Sequence, residues 1–280
     1  MKYAITGSNG YVGGAISRFF SDRGVEILEL RRNKNNTSSA QNVIPYSLGD
    51  SLSDPRLIGS DCLIHCAYDF SPQKWSDIQD INIRGTERLF SSARSLGVKK
   101  IVLISSISAF ENSASLYGRA KLEMERIAQE YEAIIIRPGL VFGDSPGGMV
   151  GTLSRFIEKL PVVPQIGGAQ EMFLVHQDDL SALIEKALTT SDATSQPLFA
   201  CNTAPIRFRD ILRQLARKQK HTRIFIPIPW RGAWIGLKLL ESLGFSAGIK
   251  SDSLISLMNP NPSPDFRITE HLGIKFRALA

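Results

Sequence analysis

Tyr117 and Lys121 stand four residues apart in the run YGRAKLEMERIAQEY. On a helix that spacing sets both side chains on one face. A free phenol has a pKa near 10 and is a poor base at neutral pH. A nearby ammonium favours the phenolate and lowers that value. The helix follows a strand-like run, KIVLISS (100–106), that ends in Ser105-Ser106. A hydroxyl there can hold a substrate oxygen that Tyr117 protonates or deprotonates.

A second constellation lies at the start of the chain. The run KYAIT (2–6) leads into Thr6-Gly7-Ser8-Asn9-Gly10-Tyr11-Val12-Gly13-Gly14, and a helical pattern follows. Gly7 permits a tight turn, Gly10 lets backbone approach a pyrophosphate, and Gly13 lets the helix pack closely on the strand. The helix N-terminus offers free N–H groups and partial positive charge to phosphates. A glycine motif alone is weak evidence; one that follows a strand and opens a helix is the context of a dinucleotide site.

The second strand-like run, VEILEL (25–30), ends in Leu30-Arg31-Arg32, where an acid would grip the ribose 2′-hydroxyl of NAD. Arginine there attracts and clamps a 2′-phosphate instead. NADP is therefore expected, with NAD as the lesser possibility. Asp50, after the third run, either accepts from the adenine amino group or belongs to the turn in GDSLSD.

The elements that position these groups alternate. Strand-like runs cover 2–6, 25–30, 42–48, 62–67, 100–106 and 133–138, with helical segments near 13–23, 53–59, 75–96 and 117–131. Nearly all-apolar, β-branched strands between helices imply a doubly wound parallel sheet of the Rossmann type, with its crevice at the strand C-terminal ends. The expected division is a dinucleotide-binding domain over 1–145 and a substrate-binding part over 146–280, with segments near 172–201 returning to the main sheet. The later part contains helices near 149–160, 178–189, 207–219 and 231–243, and a proline-rich tail, NPNPSPDF. Trp230, Trp234, Leu237 and Leu240 have the spacing of a packing stripe, or of one wall of an apolar pocket.

The chain has 280 residues, 43% of them hydrophobic, and a net charge of +6, enough for a substantial core. No basic run interleaved with aromatics points to nucleic acid. No apolar stretch reaches the ~20 residues of a membrane span. Cys62, Cys66 and Cys201 make no disulfide framework, and His65 points away from Cys66 on a strand, so no metal site is expected. With no leader-like segment at residue 1, a reduced cytoplasmic compartment is expected. His65 and His176 read as packed or backbone-bonded residues of strands, and Asp178-Asp179 as a helix N-cap.

The chain resembles the extended short-chain dehydrogenase/reductases, the group that includes NAD(P)-dependent epimerases and dehydratases. TGSNGYVG is similar to TGxxGxxG, YGRAK to YxxxK, and SSISAF to the segment whose second serine, here Ser106, is the catalytic hydroxyl. RPGLVFG (137–143) and FLVHQDDLSALIEKAL (173–188) resemble later markers of the family. The resemblance implies that Asn82, in DINIRGTERLF, is a structural and proton-relay asparagine. It implies that Lys121 also holds the nicotinamide ribose, that Ala67 and Pro138 line the cofactor, and that a homodimer is possible. Two departures set the chain apart from the nucleotide-sugar branch. Leu140 follows Arg137-Pro138-Gly139 where that branch often has asparagine nearby, and Met172 replaces a diphosphate-binding arginine, though Arg207, Arg231 and Arg267 are available.

The expected activity is NADP-dependent oxidoreduction at a hydroxyl or keto carbon of a small substrate. One alternative is a nucleotide-sugar epimerase or dehydratase that holds NAD tightly. A second is a non-catalytic NADP-binding subunit; such proteins tend to lose the tyrosine or lysine that this chain keeps.

Overall fold

The computed structural model describes residues 1–32, 41–144, 147–190, 196–219, 223–245 and 248–279. In chain order the first elements are β1 (Lys2–Thr6), α1 (Tyr11–Ser21), β2 (Glu26–Arg31), β3 (Val43–Pro45), β4 (Cys62–His65), α2 (Trp75–Ile78), α3 (Arg84–Ser95), β5 (Lys100–Ile104), α4 (Leu116–Glu130) and β6 (Ile134–Pro138). There follow β7 (Leu140–Phe142), α5 (Gly148–Lys159), β8 (Val162–Ile166), β9 (Glu171–Met172), β10 (Leu174–His176), α6 (Gln177–Thr189) and β11 (Leu198–Ala200). The last are β12 (Ile206–Arg207), α7 (Phe208–Lys218), β13 (Ile224–Ile228), α8 (Trp230–Ser242), α9 (Ser251–Met258) and α10 (Arg267–His271).

Seven strands form one parallel sheet in the order β11-β6-β5-β4-β1-β2-β3. The winding reverses between β1 and β4, which opens the crevice beyond Thr6 and His65, paired neighbours in the register. Consecutive residues such as Ala4 and Ile5, or Leu63 and Ile64, point to opposite faces and are all buried. Both faces are covered, which is why the strands read as unbroken apolar runs. One face packs Ile16 and Phe20 of α1 and Leu183 and Ile184 of α6; the other packs Leu89 and Phe90 of α3 and Met124 of α4. A smaller core joins Ile157 of α5, Leu174, and Ile211 and Leu212 of α7.

Three expectations change. The helix near 53–59 is a single tight turn over Pro55–Leu57, started by Asp54 and stopped before Gly59, whose φ is +74°. The segment at 172–176 does not enter the large sheet: β10 pairs with β7 and β9 with β12, because β11 holds the sheet edge beside β6. Helix α8 has no buried residue. Trp230, Trp234 and Leu237 are half-buried along one side, and Leu240 is exposed, so the expected stripe packs only partly.

The tail crosses back to the main sheet. Phe266, Ile268, Leu272, Ile274 and Phe276 pack on the core formed with α1 and α6. No helix among the described residues is long and apolar enough to cross a membrane. The three cysteines are free thiols, and no metal-binding group of three His, Cys, Asp or Glu occurs among the described residues.

Candidate active site in the crevice

The glycine turn is shaped by sterics. Gly7 has φ +70°, and a Cβ there would lie 3.0 Å from the Ala67 backbone; a Cβ on Gly13 would lie 2.3 Å from the Gly7 carbonyl oxygen. The turn and the start of α1 can approach one another only without those side chains. Gly10, extended at φ −81°, opens α1 with no side-chain cap and no acid in the first turn. Free N–H groups thus face the crevice with no competing carboxylate, a cradle suited to a pyrophosphate. The buried Ser8 and Tyr11 hydroxyls have no hydrogen-bond partner among the described residues. The Tyr11 ring is turned aside and packs against Gly147 and Gly148, while Val12 packs on the core. The turn therefore fits a dinucleotide.

At the end of β2, Arg31 Nη1 donates to Asn9 Oδ1 at 3.2 Å and meets Glu29 at 3.2 Å. That guanidinium lies beside the glycine turn, where a ribose would sit. Arg32 turns instead toward Asp69, 3.6 Å away. The basic run continues into Asn33 and Lys34, which lie outside the described residues, as do the asparagine-rich loop and Ser145-Pro146. Asp50 closes its own turn: its Oδ2 accepts from Ser47 N at 3.1 Å.

Below the turn runs a column of side-chain bonds. Thr6 Oγ1 accepts from the backbone N–H groups of Cys66 and Ala67 and lies 2.7 Å from His65 Nδ1; His65 Nε2 lies 3.0 Å from Thr86 Oγ1, which donates to the Asn82 carbonyl at 2.7 Å. With the Thr86 proton spent on Asn82 and the Thr6 lone pairs on two N–H groups, Nδ1 accepts from Thr6 and Nε2 carries the proton. Burial, reinforced by Lys121, pushes the His65 pKa down to about 3, so the ring is neutral. The Asn82 amide is spent on one partner: Oδ1 accepts from Asp69 N at 2.7 Å and Nδ2 donates to Asp69 O at 3.0 Å. Asn82 sits in a π-turn, Gln79–Ile83, between α2 and α3, and clamps the loop after β4.

That loop delivers Tyr68 and Phe70 onto Tyr117. Their ring centroids lie 5.0 and 5.5 Å from that of Tyr117, edge-on and stacked respectively. Ser106 faces the Tyr117 hydroxyl and favours its ionised form, but burial dominates and pushes the phenol up to about 12. Lys121 is buried; its Nζ donates to the Ile104 carbonyl at 2.8 Å and stands 5.3 Å over the Tyr68 ring. Burial lowers its pKa to about 8, against support from Cys66 and Glu125. One turn along α4, buried Glu125 accepts from Ser105 Oγ and takes both Nε and Nη2 of Arg137, at 2.9 and 2.6 Å. Next to it, the Pro138 carbonyl accepts from Ile107 N at 2.9 Å, fixing the loop that carries Ser106. A cavity of about 300 Å³ beside Arg137, Leu122 and Phe199 contains none of Ser106, Tyr117 or Lys121.

Asp252 is a site residue that spacing did not reveal. From the start of α9 its two carboxylate oxygens accept from Leu116 N at 2.8 Å and Tyr117 N at 2.9 Å. Ser256 meets Ser108 at 2.8 Å and Lys250 donates to the Phe70 carbonyl, so the α9 segment grips both loops around Tyr117. A lone aspartate more than 130 residues away carries no signal in the sequence. His176 is a buried strand residue bonded to backbone, as expected, whereas the aspartate pair lies inside the first turn of α6 rather than capping it. His176 caps α6, accepting from Asp178 N at 3.2 Å, and Asp179 accepts from Arg277 N and Nε at 2.7 and 2.8 Å.

A glycine cradle at β1–α1, a Ser106–Tyr117 pair and a buried lysine on one parallel sheet agree with the family match, which covers residues 3–199. The chain belongs to the NAD dependent epimerase/dehydratase family. An uncharacterised Sinorhizobium fredii protein, y4nG, is 24% identical over 86% of this chain and 66% of its own length. The chain thus spans just under two thirds of that relative. Among solved structures, gox2253 superposes with TM-score 0.72 at 19% identity, covering 98% of this chain and 93% of its own. The UDP-glucose 4-epimerase of Thermus thermophilus, solved with NAD, gives 0.64 at 18% identity over 92% and 97%. These likenesses establish the shared fold.

Proposed function

We propose that this family member is an NADP(H)-dependent oxidoreductase acting on a hydroxyl or keto carbon of a small substrate. The observation that carries the reading is the meeting of Ser106 and Tyr117, one helical turn before buried Lys121, on the same sheet as the uncapped glycine turn. A bound NADP(H) supplies the hydride or takes it up. Tyr117, held protonated by burial, acts as the acid: its hydroxyl gives a proton to the substrate oxygen as that oxygen becomes negative. Ser106 holds the same oxygen. The Lys121 charge lowers the cost of the phenolate left behind. Asn82, its amide spent on Asp69, acts as a positioning residue for the loop carrying Tyr68 and Phe70 rather than as a proton carrier.

Arg31 beside Asn9 supports NADP over NAD, because an arginine at the end of β2 can clamp a 2′-phosphate. Met172 supports a substrate without a diphosphate: it pairs across β9–β12 with Ile206, so an apolar pair occupies the place where the nucleotide-sugar branch often has its arginine. The cofactor retained by purified, denatured protein is the first test, followed by NADPH consumption on a panel of ketones. NADPH is expected to bind roughly tenfold or more tightly than NADH, from a clamp of ~1.5–3 kcal/mol, and Arg31→Asp is expected to erase that preference. Stoichiometric NAD in the supernatant, with a sugar nucleotide interconverted and no coenzyme consumed, replaces this reading with the epimerase. Tight NADPH binding with no turnover of any kind replaces it with the non-catalytic subunit.

A further inference from the structure

The second half of the chain holds an apolar surface that the proposed chemistry does not use. Of the large hydrophobic residues exposed among those described, Val162 of β8 and Ile224, Ile226 and Ile228 of β13 lie on the small two-stranded sheet, and Ile235, Leu239, Leu240, Leu243 and Phe245 on α8 and its end. Val162 is the registered partner of Ile224. Helix α8 presents two sides. Trp230, Trp234, Leu237 and Glu241 share the half-buried one, and Glu241 accepts from Ser251 N and Oγ at 2.7 Å. Arg231, Ile235, Lys238, Leu239 and Leu243 share the other. Leu239 is 60% and Leu243 70% exposed. Scattered exposed leucines need no explanation, but a contiguous set does.

The sequence on either side of this helix is strongly one-sided in charge. From Arg207 to Lys250 the sequence has ten Lys and Arg against two acids, Asp210 and Glu241, in a chain whose net charge is only +6. No carboxylate among the described residues pairs with Arg217, Lys218, Arg223, Arg231 or Lys238. A second copy of the same segment would bring like charges together. An anionic surface would neutralise them, and long Lys and Arg stems let apolar neighbours sink while the charges stay at headgroup level.

We infer that the exposed face of α8 docks on an anionic phospholipid bilayer, with Ile235, Leu239 and Leu243 entering the interface and Arg231 and Lys238 on the headgroups. A lipid surface supplies negative charge at any spacing, which suits basic residues spread over several elements. Docking is peripheral, since no described helix spans a bilayer.

Flotation of the full chain with vesicles tests this, using phosphatidylcholine alone and phosphatidylcholine with roughly one third phosphatidylglycerol. The protein is expected to float with the anionic vesicles only, and less so at high salt. Arg231→Glu with Lys238→Glu should cut partitioning about tenfold or more, from a contribution near one decade for a pair of charges. Leu239→Ser with Leu243→Ser should abolish it. All four side chains lie outside the core, so circular dichroism and NADPH binding should match the parent. Recovery of the parent in the lipid-free fraction with both vesicle types overturns the inference. So does a dimer that forms without lipid and is split by Leu239→Glu, or equal flotation of the charge-reversed variant.

Discussion

At the residue scale the site is defined by where protons reside. Tyr117 keeps its own because burial outweighs the help of Ser106. Tyr117→Phe removes one hydroxyl and leaves the ring against Tyr68 and Phe70, so fold and NADPH affinity should be retained while turnover falls about 10²–10⁴-fold. Steady-state rates beside a cofactor titration check this. His65 makes a different prediction. Its folded pKa, about 3, lies below the ordinary value of 6.5, so below pH 6.5 the unfolded chain binds a proton that the folded chain refuses. Stability then falls as pH falls, by about 2 kcal/mol between pH 6.5 and 5. Urea titrations at the two values measure it. His65→Asn should be less stable at pH 7, where Thr6 and Thr86 lose partners, but should show a shallower loss on acidification.

At the element scale, α4 is aimed from both ends of the chain. Ser115 caps it locally, accepting from Gly118 N at 3.0 Å, while Asp252 takes Leu116 N and Tyr117 N from α9. Asp252→Ala should cost about 0.5–2 kcal/mol, the worth of a helix cap. If the cap also orients Tyr117, kcat should drop with little change in NADPH affinity, and Asp252→Asn should restore part of it by keeping an acceptor. Denaturation curves and the split between kcat and cofactor binding separate the two effects. The β1, α1 and β5 positions were legible because their pattern is local: unbroken apolar strands, a glycine turn, and a polar helix face. The π-turn at Asn82 was not, because QDINI reads as ordinary helix until its amide is seen closing on Asp69.

At the scale of the whole molecule, the last residues belong to the main sheet as much as to the later part. The Phe266 ring sits 5.2 Å from Phe173 and 5.8 Å from Phe199, Asn202 Nδ2 donates to Phe276 O at 3.1 Å, and Arg277 holds nearly buried Asp179. Arg277→Ala removes the guanidinium from that carboxylate and keeps the backbone N–H, and solvent at the arginine softens the cost to ~1–2 kcal/mol. Deleting residues 266–280 uncovers Phe173 and Phe199 as well and should lower the midpoint far more than the single change. Thermal melts of the two variants beside the parent rank them.

The sequence by itself determined the parallel sheet, the glycine turn that opens α1, and the helix that puts Tyr117 and Lys121 on one face after β5, because each rests on periodicity or spacing within a few turns of chain. Only the tertiary structure decided the partners of those groups. Lys121 finds the Ile104 carbonyl, Asn82 the Asp69 backbone, and Arg32 Asp69 rather than the ribose place. Likewise only packing decided that β11 takes the sheet edge beside β6, that Asp252 reaches α4, and that the ridge of α8 stays exposed. Contacts between residues far apart in the chain depend on how whole faces are buried, and a burial pattern does not name the face that covers it.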